Sequence, residues 1–505
     1  MAMENTSVFS EDRLQPVAGE AASETRTSKA SKPFKKETFR ADPVALAPCR
    51  RTARSRLAQT AGWGGQRMPA NRAYFLALLV MTILLNVATL GALYGAAGRN
   101  SRFADWLRDG TSTLLVLVNF FVAVLVRNEY TLQALFWAET ALTSSALFDR
   151  IPLVKAHIHR LLHNLGGAHC GHALAGSAWA VVGFALTLSK DISKGFIDSS
   201  LAAACLNATS LVLLTLISAL SLKPFRQLFH NQWEVSHRFL GWTLLALLVA
   251  SSALRLELST PTGMALATAD LVLVILVTVV VFLPWFRVHK LRVEAELLAP
   301  GLTMISFDLA ASRLGACARP GYALRCSHDG VEWHPFAIAR IEAPSEKFPG
   351  GRVSAIVQAQ GDWTSELAEA AAMGAIDHMW LRLSFGPGFM YSVQSYRRVL
   401  CVATGAGVAP VLPHLDYDGA EVIVMCVTRE PVKYFGETVT GLVTGHCENV
   451  VYDTRDVGRF DVGATAAIIA ERCHAEAVFV VANEPLTKAA MLACSMPVFG
   501  ANFDS

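Results

Sequence analysis

From Val399 the chain reads Val399-Leu-Cys-Val-Ala-Thr404-Gly405-Ala-Gly407-Val-Ala-Pro410, an unbroken apolar run that passes straight into glycines. The first half is the pattern of a strand buried on both faces of a parallel sheet. The second half, G-x-G-x-x-P, reads as a tight turn that opens a helix. There the glycines let the backbone approach a pyrophosphate, and the first helical amides face it with the positive end of the dipole. Thr404, Gly405, Gly407 and Pro410 are therefore candidate dinucleotide contacts. A lone G-x-G is a weak signal, because turns use glycine everywhere; its place behind a buried strand makes it stronger. The rhythm repeats downstream in Glu421–Val427, Val450–Tyr452 and Ala477–Ala482, with helical segments between them. That is a doubly wound α/β domain, expected over residues 397–505.

Upstream, from Val288, the pattern is one of short alternating strands: Leu291–Leu297, Leu302–Leu309, Ala323–Ser327, Val353–Ala359 and Trp380–Ser384. Turn residues separate them, as in a small antiparallel barrel, expected over 288–396. Glu332-Trp-His334-Pro335-Phe336-Ala337 is read as closing the third of these strands. Gly361-Asp-Trp-Thr364 follows a later strand, and Asp362 or Thr364 is placed to cap a helix there. Gly386-Pro-Gly388 precedes the nucleotide-type turn.

These segments carry a family resemblance. His334-Pro335-Phe336-Ala337 resembles the H-P-F-[ST] flavin signature of ferric reductases and NADPH oxidases, with Ala337 in place of the usual hydroxyl residue. Gly361–Thr364 is similar to the same family's turn before a helix, and Thr404–Pro410 resembles the nicotinamide motif of ferredoxin reductases. Thr428-Arg-Glu-Pro431, Phe435-Gly-Glu437, Asp453-Thr-Arg455, Gly458-Arg459 and the ending Phe499 to Ser505 are similar to fungal integral-membrane flavoproteins of the TmpA kind, and to the ends of fungal adenylate-forming membrane proteins. Asn119 to Tyr130 is similar to their second apolar segment. The resemblance implies FAD held by His334, Pro335, Phe336, Ala337 and Gly386, with Phe503 near the flavin. It also implies a nicotinamide nucleotide on the α/β sheet. Arg429 stands just past the second parallel strand, where an adenosine ribose would sit. Its guanidinium favours NADPH, whose 2′-phosphate it can pair with, over NADH; an exposed surface arginine is the plain alternative.

Residues before the barrel are of another kind. The whole chain is 53% hydrophobic and only 17% charged, and the apolar excess lies between Ala73 and Phe286. Six stretches, Ala73–Ala97, Thr111–Val126, His172–Ser189, Leu201–Leu222, Phe239–Leu254 and Thr268–Phe286, read as membrane-spanning helices over 72–287, the second marginal in length. Arg127, Arg150, Lys155, Arg160, Lys223, Arg226, Arg238, Arg287, Lys290 and Arg292 fall on one side. Arg99, Arg102, Arg108, Lys190, Lys194 and Arg255 fall on the other, a bias that puts both termini in the cytosol of a multi-pass protein. Residues 1–71 read as a disordered cytosolic arm. A net charge of +3 points to no nucleic-acid partner. The ten cysteines show no metal-type pairing and read as free thiols.

Ferric reductases and NADPH oxidases hold two haems between paired histidines about 14 residues apart on two helices. Here His172 and His237 stand at the cytosolic starts of the third and fifth stretches, with His169 and His230 as neighbours. At the second level, near Thr187 and Ser251, histidine is absent from both helices. This leaves room for at most one haem, and none is the favoured reading. The expected chain is thus a six-helix transmembrane bundle, a flavin barrel and a nucleotide-binding α/β domain, passing electrons from NADPH through FAD to an unknown acceptor. A redox sensor of low turnover, and a transporter or scaffold with a degenerate reductase, are the rival readings.

Overall fold

The computed structural model describes residues 71–97, 107–149, 151–194, 198–257, 259, 261, 263–309, 318–417, 419–446 and 448–501. The expected N-terminal arm, apart from Asn71, and Phe503 lie outside them.

The apolar region forms α1 (Asn71–Ala97), α2 (Ser112–Leu125), α3 (Glu129–Thr143), α4 (Pro152–His163), α5 (Gly166–Lys194), α6 (Asp198–Leu220), α7 (His230–Glu257) and α8 (Met264–Phe282). Five segments are long and apolar enough to cross a membrane: Arg72–Ala96, Gly166–Ser189, Leu201–Leu220, His230–Glu257 and Met264–Arg287. The expected second span differs. Helix α2 has only 14 residues, and α3 leaves it at 66°, so a sixth crossing exists only if the bent pair counts as one. Asn128 causes the break. Its backbone is extended, and its side-chain oxygen accepts from the Tyr130 and Thr131 amides, which starts a new helix. Its amide nitrogen donates to the Val280 carbonyl at 2.9 Å and pins that start to α8. Helix α5 packs on α1, α2 and α6, α7 on α6 and α8, and α8 on α2.

Strands β1 (Val288–Ala299), β2 (Leu302–Asp308), β3 (Tyr322–Ser327), β4 (His334–Glu342), β5 (Arg352–Gln358) and β6 (His378–Pro387) close an antiparallel barrel in the order β1-β2-β5-β4-β3-β6. Ile305, Phe307, Leu324, Ile338, Leu381 and Phe385 fill its interior. His334-Pro335-Phe336 opens β4 and does not close the strand before it. The reason is the turn ahead of it: the Asp329 carboxylate accepts from the Val331 and Glu332 amides, and Ser327 Oγ accepts from the Gly330 amide. Helix α9 (Asp362–Ala372) follows β5.

Strands β7 (Arg398–Thr404), β8 (Glu421–Thr428), β9 (Val450–Asp453), β10 (Ala477–Val481) and β11 (Val498–Gly500) form a parallel sheet in the order β11-β10-β7-β8-β9. Helices α10 (Pro431–Thr444), α11 (Val462–Arg472) and α12 (Glu484–Ala493) cover its two faces. No α-helix follows β7, contrary to the sequence reading. Two 3-10 turns, Gly405–Val408 and Leu412–His414, stand there instead. Pro410 and Pro413 remove two amide donors within four residues, and a helix cannot propagate through them. The sheet face left bare is covered by Val411 and Leu412, and by Ala156 of α4 from the apolar half. Phe136 of α3 reaches the barrel core in the same way.

Candidate functional site

Strand alternation places Leu324, Ile338 and Phe385 inside the barrel, so their neighbours Ala323, Ala337 and Gly386 face outward. These three are in register across adjacent strands, Gly386 opposite Ala323 and Ala323 opposite Ala337. They form a flat floor of one missing and two minimal side chains on β6, β3 and β4. At the usual spacing between strands the floor is roughly 10 Å across, the span of a three-ring isoalloxazine. All three are only half-buried. Pro335 lies on the same face and is exposed. A flat flavin fits this floor, and a larger side chain at any of the three positions would fill it. Ala323 is the member that sequence reading missed; nothing but the register reveals it.

One edge of the floor is charged. Glu129, in the first turn of α3, bonds Arg382 Nη1 at 2.9 Å and lies 3.6 Å from Arg325 Nε. A Cβ on Gly386 would meet Glu129 Cγ at 3.6 Å. Gln133 of the same helix donates to the Phe385 carbonyl. Arg382 lies over the Trp285 ring at 4.2 Å and beside the Trp333 ring at 5.4 Å. The apolar half therefore supplies one wall of the floor, through a helix that the sequence did not resolve as a separate element.

His334 and Phe336 point the other way from the floor. They stack on Trp363, with ring centroids at 4.3 and 5.9 Å, and His334 Nε2 bonds Glu332 at 2.8 Å. Thr364 Oγ accepts from the Gly361 amide at 3.0 Å, so the Gly361–Thr364 turn serves as a helix start.

On the sheet, the chain reverses direction of winding between β7 and β10, and a ligand belongs in the crevice beyond the carboxyl ends of those strands. Thr404 and Gly405 stand there. Gly405 has φ +51°, in the left-handed region, and a Cβ on Gly407 would lie 2.3 Å from the Val481 carbonyl of β10. Gly407 is thus a packing glycine; Pro410 belongs to the segment that stops a helix. The crevice is partly covered by Tyr434, whose hydroxyl lies between the Ala406 amide and the Gln358 side chain. His414, 1% exposed, sits in the turn packed against β4, and neither of its ring nitrogens has a hydrogen-bond partner among the described residues. Such an orphaned pair fits a polar ligand group between barrel and sheet.

Arg429 directly follows β8 and its side chain is 75% exposed. It shares Glu430 with Lys433 and Arg455. Glu430 itself is left-handed, with φ +48°. The Glu430 and Arg455 amides hold the Asp453 carboxyl below the usual carboxylate range. Arg429 and Lys433 past β8, and Arg455 past β9, thus gather three exposed cations around Glu430, a charge a phosphate could share.

Of the histidines, His172 Nδ1 lies 2.9 Å from Asn119 Oδ1 and His169 Nδ1 lies 2.8 Å from the Ala123 carbonyl. Both acceptors fix the proton on Nδ1 and leave the lone pair on Nε2, the arrangement a metal-bound imidazole needs. His237 Nδ1 is 3.2 Å from Ser221 Oγ. Helix α5 thus offers His169 and His172, and α7 offers His237, as the imidazoles a haem would need. Among the described residues no group of three or more His, Cys, Asp or Glu forms a metal site.

Helices α3 and α4 also carry a buried network that the sequence did not announce. Glu139 pairs with His159 at 2.7 Å, and His159 Nε2 donates to the Ser392 carbonyl. His163 Nε2 lies 2.9 Å from Ser392 Oγ, and Arg160 donates to the Val498 carbonyl. Burial, with the charge of His159 adding to it, pushes His163 down to about 3.

The family described as adenylate-forming reductase 03009, C-terminal domain, matches residues 389–505. Adenylate-forming reductases 06235 and 03009 of Coprinopsis cinerea are each 28% identical to this chain over 402 residues, 77% of it. The chain spans 37% of the length of these relatives. Among solved structures, a phthalate dioxygenase reductase covers 43% of the chain and 69% of its own, with 13% identity and a TM-score of 0.33. Likeness so slight carries no argument, and the fold rests on the strand order and register given above.

Proposed function

We propose that the chain is a membrane-embedded flavoprotein reductase that takes electrons from NADPH. The floor of Gly386, Ala323 and Ala337, lying beside the switch point of a parallel sheet, carries this reading. Bound there, FAD would accept a hydride from the nicotinamide and pass the electrons on. The protein aligns the two rings and excludes water from them. Pro335 and Ala337 flank the ring, and Arg325 and Arg382 balance charge that builds at its edge. Thr404 and Gly405 receive the nucleotide once Tyr434 moves aside. Arg429, Lys433 and Arg455 read the 2′-phosphate, so NADPH is preferred and NADH is accepted poorly. The five long apolar helices cross the membrane, α2 makes the sixth crossing and delivers α3 to the cytosolic face, and both termini are cytosolic. His169 or His172, with His237, can hold one haem; the second level holds none.

The test is an absorption spectrum of detergent-purified protein before and after anaerobic NADPH. A flavin band that bleaches on addition supports the reductase. A Soret band that shifts with it adds the haem. A flavin band that bleaches once, with no steady NADPH consumption under air or with ferricyanide, supports the sensor instead. Absence of flavin after FAD is supplied sinks the proposal.

A further inference from the structure

We infer that the cavity where the apolar helices meet the barrel and the sheet binds a quinone headgroup, which receives the electrons; this rests on the reductase reading above. The cavity holds about 230 Å³, and Phe136, Phe389 and Phe499 are its largest walls. Arg160, at 4% exposure, lines it together with His163 and Arg127. No carboxylate is among the described lining residues. The fitting ligand is therefore flat, apolar in its ring and rich in acceptors. A quinone meets all three conditions: its ring packs on phenyl groups, and its two carbonyl oxygens accept from a guanidinium and an imidazole. A phosphate would suit the guanidinium groups but would press its charge against three phenyl rings.

Position supports the same occupant. Pro387 and Gly388 line the cavity, and they continue the strand from Gly386 of the flavin floor, so floor and cavity share one strand end. Val126 and Gly166, also in the lining, stand where α2 ends and α5 begins. An isoprenoid tail would leave there along the apolar helices. The net step balances: NADPH and one proton reduce the quinone to its quinol. Two electrons and a proton leave the nicotinamide as hydride, the second proton comes from water, and NADP+ is released.

The experiment uses the full chain, loaded with FAD in lipid nanodiscs and given NADPH with either ferricyanide or decylubiquinone. Ferricyanide takes electrons from any accessible flavin edge and reports on the reductase reading alone. The wild type should reduce both. Leu165 also lines the cavity; Leu165→Trp, which fills it, should keep ferricyanide reduction within about twofold and lower quinone reduction at least about tenfold. Without NADPH, a photoreactive azidoquinone should label peptides covering residues 126–136 and 160–166, and excess decylubiquinone should prevent it. This readout needs no variant and no turnover.

Ferricyanide reduction without quinone reduction overturns the inference. So does labelling elsewhere, or labelling that decylubiquinone leaves unchanged. Loss of FAD from Leu165→Trp overturns it by showing that the cavity belongs to the flavin. Protection by phosphatidic acid in place of quinone overturns it in favour of a lipid headgroup. If the wild type reduces neither acceptor, the reductase reading has failed, and competed labelling still decides whether a quinone occupies the cavity.

Discussion

The barrel and the sheet each present small residues to a ligand, but in opposite states of readiness. The floor of Gly386, Ala323 and Ala337 is half-exposed beside Glu129, and rigid strands hold it. The loop of Gly405 and Gly407 is covered by Tyr434 and locked against β10. A resident flavin needs a preformed seat, whereas a nucleotide that arrives and leaves each cycle can be met by a side chain that swings. Five measurements would break or sharpen this contrast.

The largest effect should come from Gly407→Val. Its side chain would collide with the Val481 carbonyl, and thermal unfolding should show a loss of about 3–5 kcal/mol; an unchanged melting temperature would mean the loop is looser than described. Gly386→Leu should leave the fold intact by circular dichroism while FAD retention falls on the order of 100-fold, about 2.7 kcal/mol. If FAD stays, the flavin does not lie on this floor. Arg429→Ala should raise the NADPH dissociation constant about tenfold and leave that for NADH alone; an equal loss for both would remove its role as phosphate reader.

A fourth measurement is of stability against pH. His163 has its folded-state value lowered to about 3, below the ordinary 6.5, so the unfolded chain binds more protons in between. Stability therefore falls as the solution is acidified from pH 6.5 toward 3, by about 1 kcal/mol from 6.5 to 5.5 for this group. His163→Asn should flatten that slope in denaturant titrations. The smallest effect is expected of Tyr434→Phe. Freeing the Ala406 amide should tighten NADPH about threefold, about 0.65 kcal/mol and within the range of one hydrogen bond; weaker binding would show that the hydroxyl holds the nucleotide and not the gate.

The sequence spoke clearly wherever a periodic pattern met one environment. Five of the six barrel strands, four of the five parallel strands and the long apolar helices lie close to where their patterns put them, while β4 and β11 were not read as strands. It spoke poorly where two halves meet. Residues Glu129 to His163 have the charges of a cytosolic loop, yet they form helices buried against barrel and sheet, and no local pattern records a partner more than two hundred residues away. The helix expected after Thr404 failed for a local reason that was available: two prolines within four residues outweigh a glycine motif. Ala323 was invisible because an alanine in a strand has no signature, and its place in the floor comes only from register. Asn128 was legible in principle, as a capping residue inside an apolar run.

The contacts from α4 to the far end of the chain bear on how the molecule is made. His159 and Arg160 leave the ribosome long before their partners, Ser392 by 233 residues and Val498 by 338. At roughly 5–20 residues per second, that second interval is on the order of 20–70 s. Throughout it, the charges of α4 must remain in water or with a chaperone, because the groove that will bury them does not yet exist. The strand that finishes the sheet is also the one that captures Arg160. A chain stopped short of Val498 would leave Arg160 without the carbonyl it donates to, and α4 without the strand that covers it.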